Sequence, residues 1–293
     1  MMKNTWQLNH LDAQLIELAL LEDLGWPYAD VTTATLFAEN TTLSQAKIVS
    51  KHPTPITLAG LPVVNAILAK MGDQCTMQTE YTDGQRLLPG ATLLTLHGPA
   101  NTLLMVERTV LNFLQHLCAI ATLTAQFVDR IKHTTTKILD TRKTMPGFRH
   151  LAKYAVHCGG GVNHRMGLYD ALMLKDTHID LLGGMAIALQ ILPEHTKQTL
   201  PVIVEVRTPE ELVIVLNLNQ ELPKVTRVLL DNMSPATLQK CVSLCQGKMS
   251  TEASGNINFA TVASVAECGV DFISIGQLTH SAGNVDLSMQ CHR

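Results

Sequence analysis

Between Asp140 and His178 the chain reads DTRKTMPGFRHLAKYAVHCGGGVNHRMGLYDALMLKDTH. This window holds six Lys/Arg (Arg142, Lys143, Arg149, Lys153, Arg165 and Lys175), four His and three Asp, in a protein of formal net charge −3. Cations concentrated in a slightly acidic chain suit an anionic ligand better than a general basic surface. A solvated basic face is the alternative, and Gly159-Gly160-Gly161 running into Asn163-His164-Arg165 argues against it, because glycines let backbone amides approach a ligand. Further on, Glu205 and Asp231 each close an apolar run and offer hard oxygens for Mg²⁺ held partly by substrate phosphates, or for ribose hydroxyls. Ser254-Gly255-Asn256 and Gly276-Gln277 are glycine turns of the kind that take a phosphate through backbone amides. Arg142, Arg165 and Arg108 offer planar forks for carboxylates, and Lys143 and Lys175 act as compact charges. The ligand set is a phosphorylated sugar plus a carboxylated partner.

These residues need a frame. After residue 131, short apolar runs end one after another in a charged residue: KILD at Asp140, ALMLK at Lys175, VIVE at Glu205, RVLLD at Asp231 and KMSTE at Glu252. DFISIG then ends at Gly276. Continuous apolar strands alternating with helices predict a parallel sheet covered on both faces. Six such units suit a full or partial β/α barrel. A doubly wound sheet is the alternative, and it lacks its G-x-G-x-x-G turn here. In a barrel, Asp140, Lys175, Glu205, Asp231 and Glu252 are expected around one mouth, the C-terminal face where active sites form.

The N-terminal part has another texture. LDAQLIELALLEDL (11–24) has apolar residues at helical spacing, with Gly25 as a stop. Residues 43–97 alternate in short segments broken by Asp83-Gly84 and Pro89-Gly90, a small β-rich domain with one helix from Leu61 to Met71. A long helix is expected over 101–131 with Asn101 as N-cap. Arg108, Asn112 and Gln115 share one face of it, either a solvated stripe or the lining of a polar site.

With 293 residues, 46% of them hydrophobic, the chain can bury a full core as one domain or two. Few aromatics and the negative net charge exclude a typical nucleic-acid binder. Seven cysteines without a paired framework read as reduced core residues, with no zinc site expected. The start lacks the build of a signal peptide, and no apolar run approaches a membrane span of roughly 18 residues. A cytoplasmic protein without a membrane partner is the expectation.

The runs at 140–179, LLDNMSP, EASGNIN and GVDFISIGQLTHS resemble the quinolinate phosphoribosyltransferases, as do LEDLG, DVTT, AGLP and ERTVLNFLQ earlier in the chain. The resemblance implies an α/β fold: an N-terminal α/β sandwich domain (1–115, joined by the tail 279–293) and an open α/β barrel of type II phosphoribosyltransferase kind (116–278). It implies transfer from 5-phosphoribosyl-1-pyrophosphate to quinolinate with Mg²⁺, giving nicotinate mononucleotide, pyrophosphate and CO₂. It also implies a homodimer or dimer-based oligomer in which Arg108 reaches the neighbouring site. By motif, Arg142, Lys143, His164, Arg165 and Lys175 surround the quinolinate carboxylates and the pyrophosphate. Glu205 and Asp231 hold the ribose hydroxyls and the metal, while Ser254, Gly255, Asn256, Gly276 and Gln277 take the 5′-phosphate. Lys143, Lys175, Glu205 and Asp231 are the expected catalytic residues.

The chain departs from the family pattern at Thr177, at Ile203 and Arg207 flanking Glu205, and in the long link 217–227. A Schiff-base barrel with Lys175 as nucleophile is one competing reading. A non-catalytic sensor of phosphoribosyl metabolites is another. His150, His157, Arg149 and Lys153 have helical spacing and could form a solvated face. His178 and His280 read as hydrogen-bonding supports.

Overall fold

The computed structural model describes residues 6–37, 42–72, 74–195, 200–221 and 225–292. α1 (His10–Leu24) starts on a capping box: Asn9 accepts from the Leu11 and Asp12 N–H groups, and Asp12 accepts from the Asn9 N–H. Asp30 caps α2 (Val31–Leu36) through the Thr32 and Thr33 amides. In β1 (Leu43–Ser50) the alternation expected of a half-buried strand buries Ala46, Ile48 and Ser50. β2 (Ile56–Thr57), α3 (Leu61–Lys70), β3 (Thr76–Gln78), β4 (Arg86–Leu87) and β5 (Thr92–Pro99) follow. α4 (Ala100–Ile131) begins one residue before the expected cap, so Asn101 lies inside the first turn and accepts from the Thr102 N–H at 2.9 Å. Contrary to the expectation from run length, an 18-residue window of α4 has mean hydropathy 1.2, enough by length and composition to cross a bilayer. Of that window 67% is buried in the protein, as befits a helix apolar on most sides because its neighbours surround it.

β6 (Lys137–Leu139) and α5 (Arg149–Cys158) come next, then β7 (Leu172–Leu174), α6 (Asp176–Leu182) and α7 (Met185–His195). The chain continues through β8 (Val202–Val206), α8 (Pro209–Glu221), β9 (Val225–Asp231), α9 (Pro235–Cys245) and β10 (Ser250–Ser254). α10 (Val262–Ala266), β11 (Phe272–Ser274), α11 (Gln277–His280) and β12 (Leu287–His292) complete it. Of the long link 217–227, residues 222–224 lie outside the described residues, and Asn219 joins its two ends by bonding both the N–H and the C=O of Val225.

Two compact units divide the chain. One holds the residues up to Ala125 with Thr144–Gly160 and the segment from Leu278 on; the other holds Gln126–Lys143 and Gly161–Gln277. The division thus falls inside α4 rather than at the expected 115/116, and α5 belongs to the first unit. The first unit is built on an antiparallel sheet in the order β12-β1-β5-β3, with the C-terminal strand paired to β1 from Gln45↔His292 to Ser50↔Leu287. Gln115, on the helix face read as either a solvated stripe or the lining of a polar site, donates to the Leu287 carbonyl at 3.2 Å and so supports this tail.

The second unit contains all six predicted strands as one parallel sheet, β6-β11-β10-β9-β8-β7. The first strand lies beside the last, as barrel winding requires, and among the described residues β6 and β7 do not pair, so the barrel is open. The centre of this sheet is buried (Val202, Ile203, Val204, Val228, Leu229, Leu230, Ala253, Ile273), which is why those strands read as continuous apolar runs, while β7 at its edge is half-buried.

Candidate active site

The C-terminal ends of the parallel strands and the segments that follow them carry the expected site residues apart from Arg108, which lies on α4. After β6, Asp140 is fully buried and its Oδ1 accepts the His164 N–H at 2.9 Å, while Val162 donates its N–H to the Ile138 carbonyl. One buried carboxylate thereby fixes the Thr141–Lys143 segment against the Asn163–Arg165 segment. Arg142 and Arg165 come together there. Burial, then the charge of Arg142, holds the Arg165 guanidinium below its usual range. Arg165 Nη1 donates to the Ala171 carbonyl at 3.0 Å, and Arg142 Nε is buried with no protein acceptor. Two like charges with a buried, unsatisfied N–H suit an anion, since a buried donor without a partner is costly.

After β7, Lys175 leads into α6, and its N–H is taken by His178 Nδ1 at 3.0 Å. His178 is therefore a support, as expected. Thr177 donates its N–H to Asp176 Oδ1 at 2.6 Å and is exposed. Glu205, at the end of β8, has its carboxyl pushed up by burial, then by Asp231 and Asp176, with Lys175 and the Asp176 amide opposing. Carboxylates crowded in this way favour a cation or hydroxyl donors between them. Among the described residues no group of three or more metal-type side chains forms. The Glu205–Asp231 pair therefore fits Mg²⁺ only where the substrate's own oxygens complete the set, the ordinary habit of that ion. Arg207, the departure next to Glu205, turns to Asp180 at 3.2 Å and Glu211 at 3.1 Å.

At β9 and β10, Asp231 is level with Ser254, and Ser254-Gly255-Asn256 forms the turn beyond it. Gly276 and the exposed Gln277 follow β11.

A model of the C-terminal domain of quinolinate phosphoribosyl transferase matches residues 120–290, and one of the N-terminal domain matches 30–118. The chain belongs to the quinolinate phosphoribosyltransferase family. It is 37% identical to quinolinate phosphoribosyltransferase [decarboxylating] 1b of Nicotiana tabacum, covering 94% of this chain and 81% of that one. It is 36% identical to the probable nicotinate-nucleotide pyrophosphorylase [carboxylating] of Bacillus subtilis, covering 96% and 94%. The solved nicotinate-nucleotide pyrophosphorylase of Francisella tularensis superposes with a TM-score of 0.89 at 34% identity, over 98% of both chains.

Not every expected residue of this quinolinate phosphoribosyltransferase-family chain faces the mouth. Glu252 stands two residues inside β10, fully buried, and so does not join a rim with Lys175, Glu205 and Asp231. It binds Arg227 Nη1 at 3.0 Å and His164 Nε2 at 3.3 Å, and accepts from the Ser274 hydroxyl. Burial disfavours its charge, and the hydrogen bonds from His164 and Ser274 with the charge of Arg227 outweigh that, holding the carboxyl below its usual range. His164 Nδ1 accepts the Arg165 N–H at 2.7 Å, which places its proton on Nε2, toward Glu252. The imidazole, with a side chain 7% exposed, is thus bonded on both nitrogens within the protein.

The family motif's glycines also divide. A Cβ on Gly159 would overlap the Ala121 carbonyl and Thr124, so this glycine is required for α5 to pack on α4 and not for a ligand. Lys153 is fully buried and His150 bonds Asp12 at 2.5 Å, so these two do not belong to a solvated face. Arg149 is half-buried and donates to the Thr144 hydroxyl at 3.2 Å, and His157 is exposed. His280 contacts Ser281 Oγ at 2.5 Å. Two residues of the unit have structural roles that spacing did not assign, Arg227 and Asn232. Arg227 lies within the run RVLLD as a charge inside a strand, and Asn232 lies within LLDN, a legible turn signal.

Proposed function

We infer that this chain joins quinolinate to 5-phosphoribosyl-1-pyrophosphate, releasing pyrophosphate and CO₂ and forming nicotinate mononucleotide for NAD biosynthesis. The observation that carries it is the pairing of Arg142 and Arg165, an anion site within one barrel mouth that also holds Glu205, Asp231 and a glycine turn. The family membership and the carboxylating and decarboxylating names of the relatives support the same reaction.

Arg142 and Arg165 take the two quinolinate carboxylates by their planar forks, with Lys143 and Lys175 adding charge toward them and the pyrophosphate. His164 orients this wall. Glu205 and Asp231 receive the ribose hydroxyls, and Ser254–Asn256 with Gly276 and Gln277 receives the 5′-phosphate. The pyridine nitrogen attacks the ribose C1 as the C1–O bond to pyrophosphate breaks, with its electron pair leaving on the pyrophosphate oxygen. Glu205 and Asp231 stabilise the cationic character at C1, and positioning in line supplies much of the rate. The C2 carboxylate then leaves as CO₂, its bonding pair remaining at C2 beside the cationic ring nitrogen until a proton replaces it. Glu205 and Asp231, together with oxygens of the donor, would hold a magnesium ion, which would supply charge neutralisation to the departing pyrophosphate. The seven free thiols fit a reducing cytoplasm.

The test is an assay of quinolinate, the phosphoribosyl donor and Mg²⁺, following CO₂ and nicotinate mononucleotide together. Equal yields of both are expected, with activity lost on chelation and restored by Mg²⁺. Absence of turnover while the donor binds would sink the reading.

Arg108 is exposed on α4, its guanidinium 3.9 Å from the Glu107 carboxylate. In the proposed homodimer it completes the partner's site. Arg108→Ala and Lys175→Ala are then each inactive alone. Mixed and reassorted, they should regain about a quarter of wild-type activity, because a two-fold dimer of the two has one intact site. No recovery on mixing would refute the reach across subunits.

A further inference from the structure

At the mouth of the second unit, two asparagines face each other in the left-handed region, Asn232 at φ 53° and Asn256 at φ 52°. Asn232 Nδ2 donates to Asp231 Oδ2 at 2.7 Å, and its Oδ1 accepts from Asn256 Nδ2 at 3.0 Å. The carboxylate beside it decides the orientation of the amide, because the reverse would set two acceptors against each other. Its backbone N–H donates to the Ser254 carbonyl at 2.9 Å. The side chain lies so flat on Gly255, itself at φ 94°, that a Cβ there would overlap the amide. One residue thereby grips a carboxylate at the end of β9 and all three residues of the turn after β10.

We propose that Asn232 is a positioning residue that couples the Asp231 carboxylate to the Ser254–Asn256 turn, setting the spacing between the ribose and 5′-phosphate subsites of the phosphoribosyl donor. This rests on the reading of those two subsites given above. With Asp231 Oδ2 held by the amide, Oδ1 is the oxygen presented to the ribose. The turn cannot shift without moving that carboxylate. The donor's two anchor points are about one sugar apart, so an error in their spacing tilts C1 off the line of attack. Misplacements near 1 Å cost about 100-fold in comparable settings.

Asn232→Gly keeps the left-handed backbone and removes the amide. It should lower kcat by about 10–100-fold and raise the KM for the donor, leaving the quinolinate KM within about twofold of wild type. Asn232→Asp retains an acceptor for Asn256 but places a like charge against Asp231, and should be at least as damaging. Because the two asparagines act as one bridge, Asn232→Gly combined with Asn256→Gly should be no worse than the poorer single variant. Wild-type kcat and donor KM in Asn232→Gly would overturn the proposal. So would losses that multiply in the double variant, or a quinolinate KM that rises equally with a lowered melting temperature, which is the mark of a residue needed only for folding. Failure of the wild type itself to turn over would instead reject the subsite assignments beneath it.

Discussion

Arg142→Ala is expected to lower kcat/KM for quinolinate by about 10²–10³-fold, roughly 3–4 kcal/mol of transition-state stabilisation, with no loss of thermal stability. Arg142 sits beside Arg165, whose charge it disfavours, and its own Nε is buried without an acceptor. In the free protein the guanidinium therefore contributes repulsion and an unsatisfied donor, both of which alanine removes. Only a bound carboxylate makes it favourable, so its removal weakens binding and not folding. Much of the effect should fall on the quinolinate KM. Arg142→Lys keeps the charge without the fork and should recover activity only in part. Steady-state kinetics with a parallel melting curve would check this. A variant that loses stability in step with activity would show that Arg142 holds the fold together.

Glu252→Ala has the opposite profile. Its carboxylate is fully buried and serves Arg227, His164 and Ser274 at once. Removing it leaves the Arg227 charge and two donors without their acceptor, a loss of about 3–5 kcal/mol of folding stability. Arg227 also lies over the Phe272 ring at 4.1 Å, which limits its freedom to turn to water. Replacing both partners together, as Arg227→Met with Glu252→Leu, should restore part of the loss, because it is the unpaired charge that is expensive. The acid limb follows from the direction of the shift. The folded carboxyl lies below its ordinary value of 4.5. The stabilisation is therefore complete above about pH 4.5 and lost as pH falls through the lower folded value. Glu252→Gln should flatten that part of the stability curve. Denaturant unfolding at neutral and acid pH measures both effects. A wild-type midpoint for Glu252→Ala at neutral pH would exclude the network as a stabilising element.

The sequence by itself determined the six barrel strands, because a parallel strand covered on both faces is a continuous apolar run. It also determined the mouth that carries Arg142, Arg165, Lys175, Glu205 and Asp231, since loops after such strands carry their charged residues in plain view. The tertiary structure decided which charges are inside. Asp231 and Glu252 look alike in sequence, each closing an apolar run. β10 continues for two residues past Glu252, however, and its register sets Ser254, not Glu252, beside Asp231. That offset turns one acid into a rim group and the other into the buried partner of Arg227, distant by 25 residues along the chain. Gly159 was legible as a glycine but not as a packing one, because the Ala121 carbonyl that excludes a Cβ comes from a helix turn far upstream. Asn232 was legible as a turn residue, but not as the bond between two subsites. Local propensity and apolar period are written in neighbouring residues, whereas register, burial of charge and close approach are set by pairs that only folding brings together.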